Sequence, residues 1–368
     1  MKKLKIGLVG CGGIANNKHM PALSKLDDLC ELVAFCDIIE ERAVKAAAQY
    51  GAPGAKVYTG YHELLKDGSV DVVHVLTPNV VHCPVTVAAF EAGKHVLCEK
   101  PMAHCSADAR KMLDAWKKSG KQFTIGYQNR FRPEVQMLHR CCEKGELGDI
   151  YFGKAHAIRR RAVPTWGVFP NKTLQGGGPL IDIGTHALDM TLWMMDNYKP
   201  VSVTGSVFYK LGHLPSAVEG NMFGPWNPET YEVEDSAFGM IKFANGAAVQ
   251  LEAAWAINMR ESREASTTIC GTLAGAEILA GMSYKEDQLI INRGHNGFLT
   301  DEVMCGAGNV AYFEGGIGEE PGLAEARQWL KAIQNETEPL VKPEQAFTVT
   351  QILEAIYRSA ETGHEVLL

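Results

Sequence analysis

The opening forty residues limit the fold most. An apolar run at 4–9 leads directly into Gly10-Cys11-Gly12-Gly13-Ile14-Ala15, and a second apolar run at 32–36 ends at Asp37. Short apolar runs bounded by glycine or by an acid read as buried strands, so the order is strand, glycine turn, helix, strand, acid. That order specifies a parallel β-α-β unit. Each residue has a task when such a unit holds a dinucleotide. Gly10 permits the tight turn, Gly12 lets the backbone approach a pyrophosphate, and Ala15 is small enough for the helix to pack on the strand. The helix start offers N–H groups and a positive dipole end to the phosphates. Asp37 stands at the spacing of a carboxylate that accepts hydrogen bonds from ribose hydroxyls. Its charge repels a 2′-phosphate, which favours NAD over NADP. A glycine turn in an unrelated α/β protein is the plain alternative. The position after an N-terminal strand, with the acid at the right distance, selects the dinucleotide site.

The chain has 368 residues, enough for two domains, and 46% hydrophobic with 21% charged residues is ordinary for a globular protein. A net charge of −7 gives no reason to expect nucleic acid or an anionic membrane as partner. No apolar run spans a bilayer, and Met1-Lys2-Lys3-Leu4 enters the first strand without a signal peptide, so a cytoplasmic protein is expected. The ten cysteines include no C-x-x-C pair; the only close pair is Cys141-Cys142, and Cys36 and Cys98 lie in strand-like runs. Buried reduced thiols are the expectation, not disulfides or zinc. The histidines form no H-E-x-x-H pattern, and no metal site is expected.

Strand patterns at 4–9, 32–36, 56–58, 70–76, 95–98 and 122–126 alternate with helical patterns at 19–25, 40–49, 61–66, 83–92 and 106–119. The alternation predicts a doubly wound parallel sheet over residues 1–125, a Rossmann-type NAD-binding domain. From 126 to 368 the texture changes. A helix at 133–143 and a strand at 150–158 precede an irregular stretch, 159–175, and the run Gly176-Gly177-Gly178. A helix at 180–195 follows. Two alternating runs, 236–243 and 247–255, flank Asn245-Gly246, a strong hairpin signal. Further strands are read at 265–270, 276–279 and 288–292, and helices at 324–333 and 346–361. This half is read as an α+β domain, a large, mostly antiparallel sheet with helices on one face, whose last helix packs back on the first domain. The loop 209–234 is long and rich in glycine, proline and aromatics, a composition often tied to function.

Hydride removal from an alcohol needs a base for the hydroxyl proton and a donor or cation for the oxygen. Candidates sit at strand ends, where open α/β sheets bind ligands. Glu99-Lys100-Pro101 follows a strand, and Pro101 stiffens the turn that directs Lys100 toward the cofactor crevice. Asp182 and His186 are four apart on one helical face beside the glycine run, where the carboxylate can orient a proton-accepting imidazole. Their plain alternative is a structural hydrogen bond. Thr77-Pro78-Asn79-Val80-Val81-His82 follows another strand, placing Asn79 and His82 to reach a cofactor, or Asn79 to cap a helix.

These four motifs, in this order, resemble the Gfo/Idh/MocA family of oxidoreductases, and the resemblance covers nearly the whole chain. It implies a Rossmann domain, a second α/β domain whose open sheet forms subunit contacts, NAD, and a sugar, glycoside or polyol substrate. It implies that Lys100 binds the substrate hydroxyl and that Asp182 and His186 share the active site, His186 as acid/base. Gly10, Gly12, Gly13, Ile14, Asp37, Thr77, Asn79, His82, Glu99, Lys100 and Gln128 match cofactor-contacting positions. Tyr127, Arg159 and Trp166 stand where relatives line the sugar site, an aromatic face and a guanidinium suiting a sugar ring. Trp226, His213 and Tyr231 are placed to close over a larger substrate. The expected reaction is oxidation of a ring secondary alcohol, such as C3 of a glucosyl group, by a homo-oligomer. An inositol 2-dehydrogenase, a redox-elimination glycosidase and a non-catalytic NAD-binding protein are the alternatives.

Overall fold

In the N-terminal region six strands form one sheet: β1 (Leu4–Val9), β2 (Cys30–Cys36), β3 (Lys56–Tyr58), β4 (Val72–Val75), β5 (His95–Glu99) and β6 (Phe123–Gly126). The computed structural model describes residues 2–283, 287–305 and 319–368. The strand order is β3-β2-β1-β4-β5-β6 with every pair parallel. This is the doubly wound order, and it reverses between β1 and β4, where such sheets bind nucleotides. The crossover helices are α1 (Met20–Ser24), α2 (Glu40–Tyr50), α3 (Tyr61–Leu65), α4 (Asn79–Glu91) and α5 (Ser106–Ser119). β4 reads Val-Val-His-Val and is buried at every position, as a strand covered on both faces must be.

Two helix starts lie earlier than their hydrophobic patterns suggest. Helical backbone runs from Gly13 through a π turn, Ala15–His19, into α1. The Asn16 side chain secures this start by donating to the Cys11 and Gly12 carbonyls at 2.8 Å each. α4 begins at Asn79, because Pro84 interrupts its apolar pattern without ending the helix. The first compact unit comprises Met1–Gln128 and Glu319–Phe347. Trp329 and Leu330 of α9 (Pro321–Gln334) are buried in one core with Ile6, Leu8, Leu23 and Phe35. The segment that joins this unit from the far end of the chain is thus α9 with the start of α10 (Pro343–Thr362), where the sequence pointed to the last helix.

The second unit, Asn129–Gly318 and Thr348–Leu368, carries a sheet ordered β14-β13-β12-β11-β7-β10-β9-β8-β15. Its strands are β7 (Ile150–Ile158), β8 (Pro200–Phe208), β9 (Ser236–Phe243), β10 (Ala248–Ala254), β11 (Arg263–Gly271), β12 (Gly275–Leu279), β13 (Gln288–His295), β14 (Phe298–Cys305) and β15 (Val366–Leu367). Only the β7–β10 pair is parallel, among the described strands. The β9–β10 hairpin turns at Asn245-Gly246 as read, with Gly246 at φ 87°. β8 and β14 escaped the pattern reading because serine, threonine, glycine and acids dilute their apolar positions. Helices α6 (Pro133–Glu143), α7 (Lys172–Gln175) and α8 (Thr185–Met195) and the part of α10 from Thr348 onward belong to this unit.

α8 is fixed closely to the sheet. A Cβ on Gly153 of β7 would lie 2.8 Å from the Thr191 methyl, so glycine is what lets helix and strand approach. The Arg130 guanidinium holds the Asp189 carboxylate through two bonds, 2.9 and 2.6 Å, both side chains fully buried. Among the described residues no helix is long and apolar enough to cross a membrane. The cysteines with described side chains are free thiols.

Candidate functional site

The glycine turn follows β1 at the point where the sheet order reverses. Gly10 has φ +100°, and a Cβ there would stand 2.4 Å from the Leu76 carbonyl at the end of β4. A Cβ on Gly12 or Gly13 would meet nothing within 4 Å. The first glycine is demanded by packing, and the next two leave open space. Asp37 ends β2 and is buried; its Oδ2 accepts the Cys11 N–H at 2.8 Å and its Oδ1 the Ile39 N–H at 2.9 Å. A carboxylate has about four acceptor positions, so two stay available for ribose hydroxyls. The acid therefore shapes the turn as well as the ligand site. Ile38 is 90% exposed, and Ile14 and Ile39 are also open to solvent. Ile38 and Ile39 were missed; the available signal was a pair of β-branched residues after the acid, where turn chemistry calls for polar ones. Apolar side chains beside this acid are of a kind that suits the flat face of a base. Thr77, past the end of β4, has a buried Oγ1 with no hydrogen-bond partner. Asn79 is the first residue of α4, and Pro78 holds the capping position. A glycine cradle, an orphaned hydroxyl and an acid with spare lone pairs fit a dinucleotide.

Behind this turn lies a buried charge network. Glu99 Oε1 accepts from Lys18 Nζ at 2.7 Å and faces His19 Nε2 at 2.8 Å, while Oε2 accepts the Lys100 N–H at 3.0 Å. Lys18 Nζ also reaches Glu325 Oε2 of α9 at 2.7 Å and Gln128 Oε1 at 3.1 Å. Burial pushes the Glu99 carboxyl up, but Lys18 and His19 outweigh it and hold it well below the usual range. Burial also drives Lys18 down, and the two carboxylates more than reverse this. His19 is lowered by burial and by the Lys18 charge, against the pull of Glu99. Lys18, His19 and Glu325 were not singled out from sequence, since nothing in their spacing brings them together.

Several expected roles change here. Glu99 was expected at the cofactor, but its carboxylate is buried and taken up by Lys18, His19 and the Lys100 backbone. It positions Lys100, the residue past the end of β5. His82 is fully buried, with Nδ1 2.8 Å from the Pro101 carbonyl and Nε2 2.9 Å from the Thr77 carbonyl. It ties the Thr77 loop to the Lys100-Pro101 turn and has no ring nitrogen left for a cofactor. Gln128 meets Lys18 through its side-chain oxygen. Tyr127 has no exposed surface, which removes it from the substrate-lining set.

In the second unit the glycine run is tied down by hydrogen bonds to a buried carboxylate. The Gly178 and Leu180 N–H groups donate to Glu234 at 2.9 and 3.1 Å, and the Tyr357 hydroxyl donates to the same carboxylate at 2.8 Å. A Cβ on Gly177 would lie 2.0 Å from the Tyr357 hydroxyl, and one on Gly178 would lie 2.5 Å from the Glu234 carbonyl. Burial raises Glu234 against the pull of these donors. The run leads into a π turn, Leu180–Gly184, which continues as α8. π turns inside helices occur frequently at functional sites. Asp182 is on the π turn, half-buried, and its Oδ2 accepts the Trp255 indole N–H at 3.1 Å. His186 lies one turn on, in the first turn of α8, and is buried.

Arg159 is not a surface charge. Its guanidinium is bound by the Glu264 carboxylate, one bond at 2.7 Å and a second from Nη2. Burial lowers its pKa, but Glu264 and the nearby Asp182 charge outweigh this and raise it. Trp166 is 50% exposed and meets Phe169 and Phe223 edge to face. The aromatics of the long loop behave otherwise. Trp226 and Tyr231 are buried, the Trp226 indole N–H donating to the Gly212 carbonyl at 2.7 Å and the Tyr231 hydroxyl to the Glu234 carbonyl at 3.2 Å. His213 Nδ1 lies 3.1 Å from the Pro228 carbonyl. These three hold the loop together and do not form a lid. Away from these residues, His104, Cys105 and Asp108 bring donor atoms within 4.8 Å of one another, and Lys111 already neutralises Asp108 at 2.7 Å.

Residues 4–127 match the model of the NAD-binding Rossmann fold of the Gfo/Idh/MocA oxidoreductases, and residues 140–368 match that of their C-terminal alpha/beta domain. The D-glucoside 3-dehydrogenase of Escherichia coli is 36% identical over 365 residues, 99% of this chain and 97% of that protein. The levoglucosan dehydrogenase of Pseudarthrobacter phenanthrenivorans is 28% identical over 272 residues, 69% of this chain and 68% of the relative. Among solved structures, the aldose-aldose oxidoreductase of Caulobacter crescentus in complex with glycerol superposes with a TM-score of 0.80 at 25% identity, covering 100% of both chains.

Proposed function

Because the chain belongs to the Gfo/Idh/MocA family of NAD-binding oxidoreductases, we propose that it oxidises a ring secondary alcohol of a glycoside to the ketone, with C3 of a glucosyl group as the preferred centre. The observation that carries the reading is the setting of Asp182. Its carboxylate is fixed by the Trp255 indole and lies near the Glu264-bound Arg159, on the helix that bears His186. Such a group of acceptor, cation and aromatic surface suits a polyhydroxylated ring. The full-length likeness to a D-glucoside 3-dehydrogenase supports the choice of substrate class.

NAD, when bound, supplies the acceptor for the hydride. The chain's own residues bind, orient and move the proton. The glycine turn and Asp37 hold the dinucleotide. The Lys100 ammonium donates a hydrogen bond to the substrate hydroxyl and stabilises negative charge as it develops on that oxygen. His186 takes the hydroxyl proton as general base, and Asp182 fixes a neighbouring hydroxyl. Glu99 sets the Lys100 backbone through its bond to the amide.

The test is growth of the reduced-nicotinamide absorbance band with methyl glucoside, free glucose, levoglucosan and myo-inositol, with and without added NAD, and identification of the ketone. Reduction with the glucoside supports the reading. Reduction with inositol alone overturns the substrate class, and aglycone release without net reduction overturns the reaction. Lys100→Ala and His186→Ala are each expected to keep NAD affinity and to lose on the order of 100-fold or more in kcat. Retained turnover in both removes their assigned roles. We further propose that a second copy of the chain covers the open sheet face, where Lys154, His156, Gln250 and Glu252 line a concavity of about 250 Å³. Light scattering during gel filtration reads the oligomeric state, and a monomer refutes this.

A further inference from the structure

We propose that Trp166, Phe223 and Phe169 form a binding subsite for an aromatic aglycone, so that the preferred substrates are aryl glycosides. This deepens the reading above and rests on it for the sugar ring. Trp166 is a large aromatic with 50% of its surface open, and its ring is not loose. Phe223 meets it at 4.8 Å and 84°, and Phe169 at 6.0 Å and 78°, both edge to face. Edge-to-face contacts fix a ring's plane, so the open surface is presented in one orientation.

The patch is continuous with the sugar-facing residues. Phe169 meets Trp255 at 6.2 Å, and the Trp255 indole N–H donates to Asp182 at 3.1 Å. On the other side the Arg159 guanidinium lies 5.9 Å from the Phe223 ring. From Asp182 outward the series runs Trp255, Phe169, Trp166. A glycone held by Asp182 and Arg159 therefore places its aglycone toward Trp166.

Several backbone and side-chain polar groups near the patch are engaged with one another. Val163 and Asn221 exchange two bonds, the Val163 N–H donating at 2.8 Å and the Asn221 amide at 3.0 Å. The Met222 N–H donates to the Arg161 carbonyl at 3.1 Å, and the Thr165 hydroxyl to the Phe223 carbonyl at 2.7 Å. These bonds stitch the long loop to the segment carrying Trp166 and pre-organise the patch. They also leave aromatic faces and the exposed Met222 as its offered surface. An aromatic ring needs only faces, and these are what Trp166 offers.

The experiment measures equilibrium affinity of the NAD-loaded protein for phenyl glucoside, methyl glucoside and cellobiose by calorimetry, together with turnover of each. The wild type is expected to bind phenyl glucoside about tenfold more tightly than methyl glucoside, a ratio typical of one added stacking contact. In Trp166→Ala that ratio falls to near one, and Trp166→Phe keeps part of it. Equal affinity of the wild type for the two glucosides, a preference for cellobiose, or an unchanged ratio in Trp166→Ala overturns the subsite. Tight phenyl glucoside binding without turnover leaves the subsite standing and instead refutes the proposed reaction, so the two failures are distinguishable.

Discussion

Glu325 offers the sharpest test of the buried network. Burial first, and then the neighbouring Glu99 charge, push its carboxyl from 4.5 up to about 7, against the pull of Lys18. In the unfolded chain the group ionises near its ordinary value. Between those two pKa values the folded protein holds a proton that the unfolded chain has released. Stability contributed by that proton is complete below the unfolded pKa and is lost as pH rises through the folded one. At roughly 1.4 kcal/mol for each pH unit separating the two values, the loss is about 3 kcal/mol across the window. Glu99 stays ionised throughout, so Lys18 keeps a counter-charge even when Glu325 is protonated. Glu325→Gln cannot titrate. It forfeits the ion pair to Lys18 only where the wild-type carboxyl is ionised, and its stability no longer falls across the window. The decisive quantity is the difference in unfolding free energy between variant and wild type, measured in urea at about pH 5 and about pH 8. It is expected to move in the variant's favour by about 3 kcal/mol as pH rises. A difference that stays constant refutes the reasoning, because Glu325 then titrates alike in folded and unfolded chains.

Asp37→Ala removes the proposed ribose acceptor and also strands the Cys11 and Ile39 N–H groups. NAD affinity is expected to fall at least tenfold and stability by about 1–3 kcal/mol, read by calorimetry and by urea unfolding. Trp255→Phe deletes the indole N–H that holds Asp182 while keeping a smaller aromatic ring in its place. Its kcat is expected to fall on the order of tenfold, with stability lowered by about 1–3 kcal/mol for the lost ring volume, read by urea unfolding. An unaltered kcat means that Asp182 needs no such restraint. Arg130→Met leaves the Asp189 carboxylate buried and alone, and is expected to cost about 3–5 kcal/mol. Adding Asp189→Leu recovers most of that stability in urea unfolding, because no unpaired charge is then left inside.

The two sheets and the residues at the strand ends were legible because they follow local rules. A glycine turn after an apolar run, an acid at the close of the next run and an Asn-Gly hairpin each declare themselves within a few residues. What stayed hidden depends on residues far apart in sequence. Glu99 and His82 have motif positions that suggest contact with a ligand, yet their partners, Lys18 and the Thr77 and Pro101 carbonyls, are set by the packing of α1, α4 and β5. The glycine run at 176–178 looks flexible in sequence. It is clamped because Glu234 and Tyr357, from distant segments, fill the space that side chains would take. Trp226 and Phe223 make the same point in opposite directions. Both are apolar aromatics in one loop, and only the hydrogen bond from Trp226 to Gly212 and the stitching of Phe223 to Thr165 decide which is core and which is presented. Motifs therefore nominated candidate residues, and tertiary hydrogen bonds show which of their polar atoms the fold itself takes up. A motif residue whose polar atoms are all taken up by the fold acts through its neighbours, as Glu99 acts through Lys100. One whose surface stays open after the fold has satisfied its surroundings, as Trp166 does, is the kind of residue on which a proposed ligand subsite can rest.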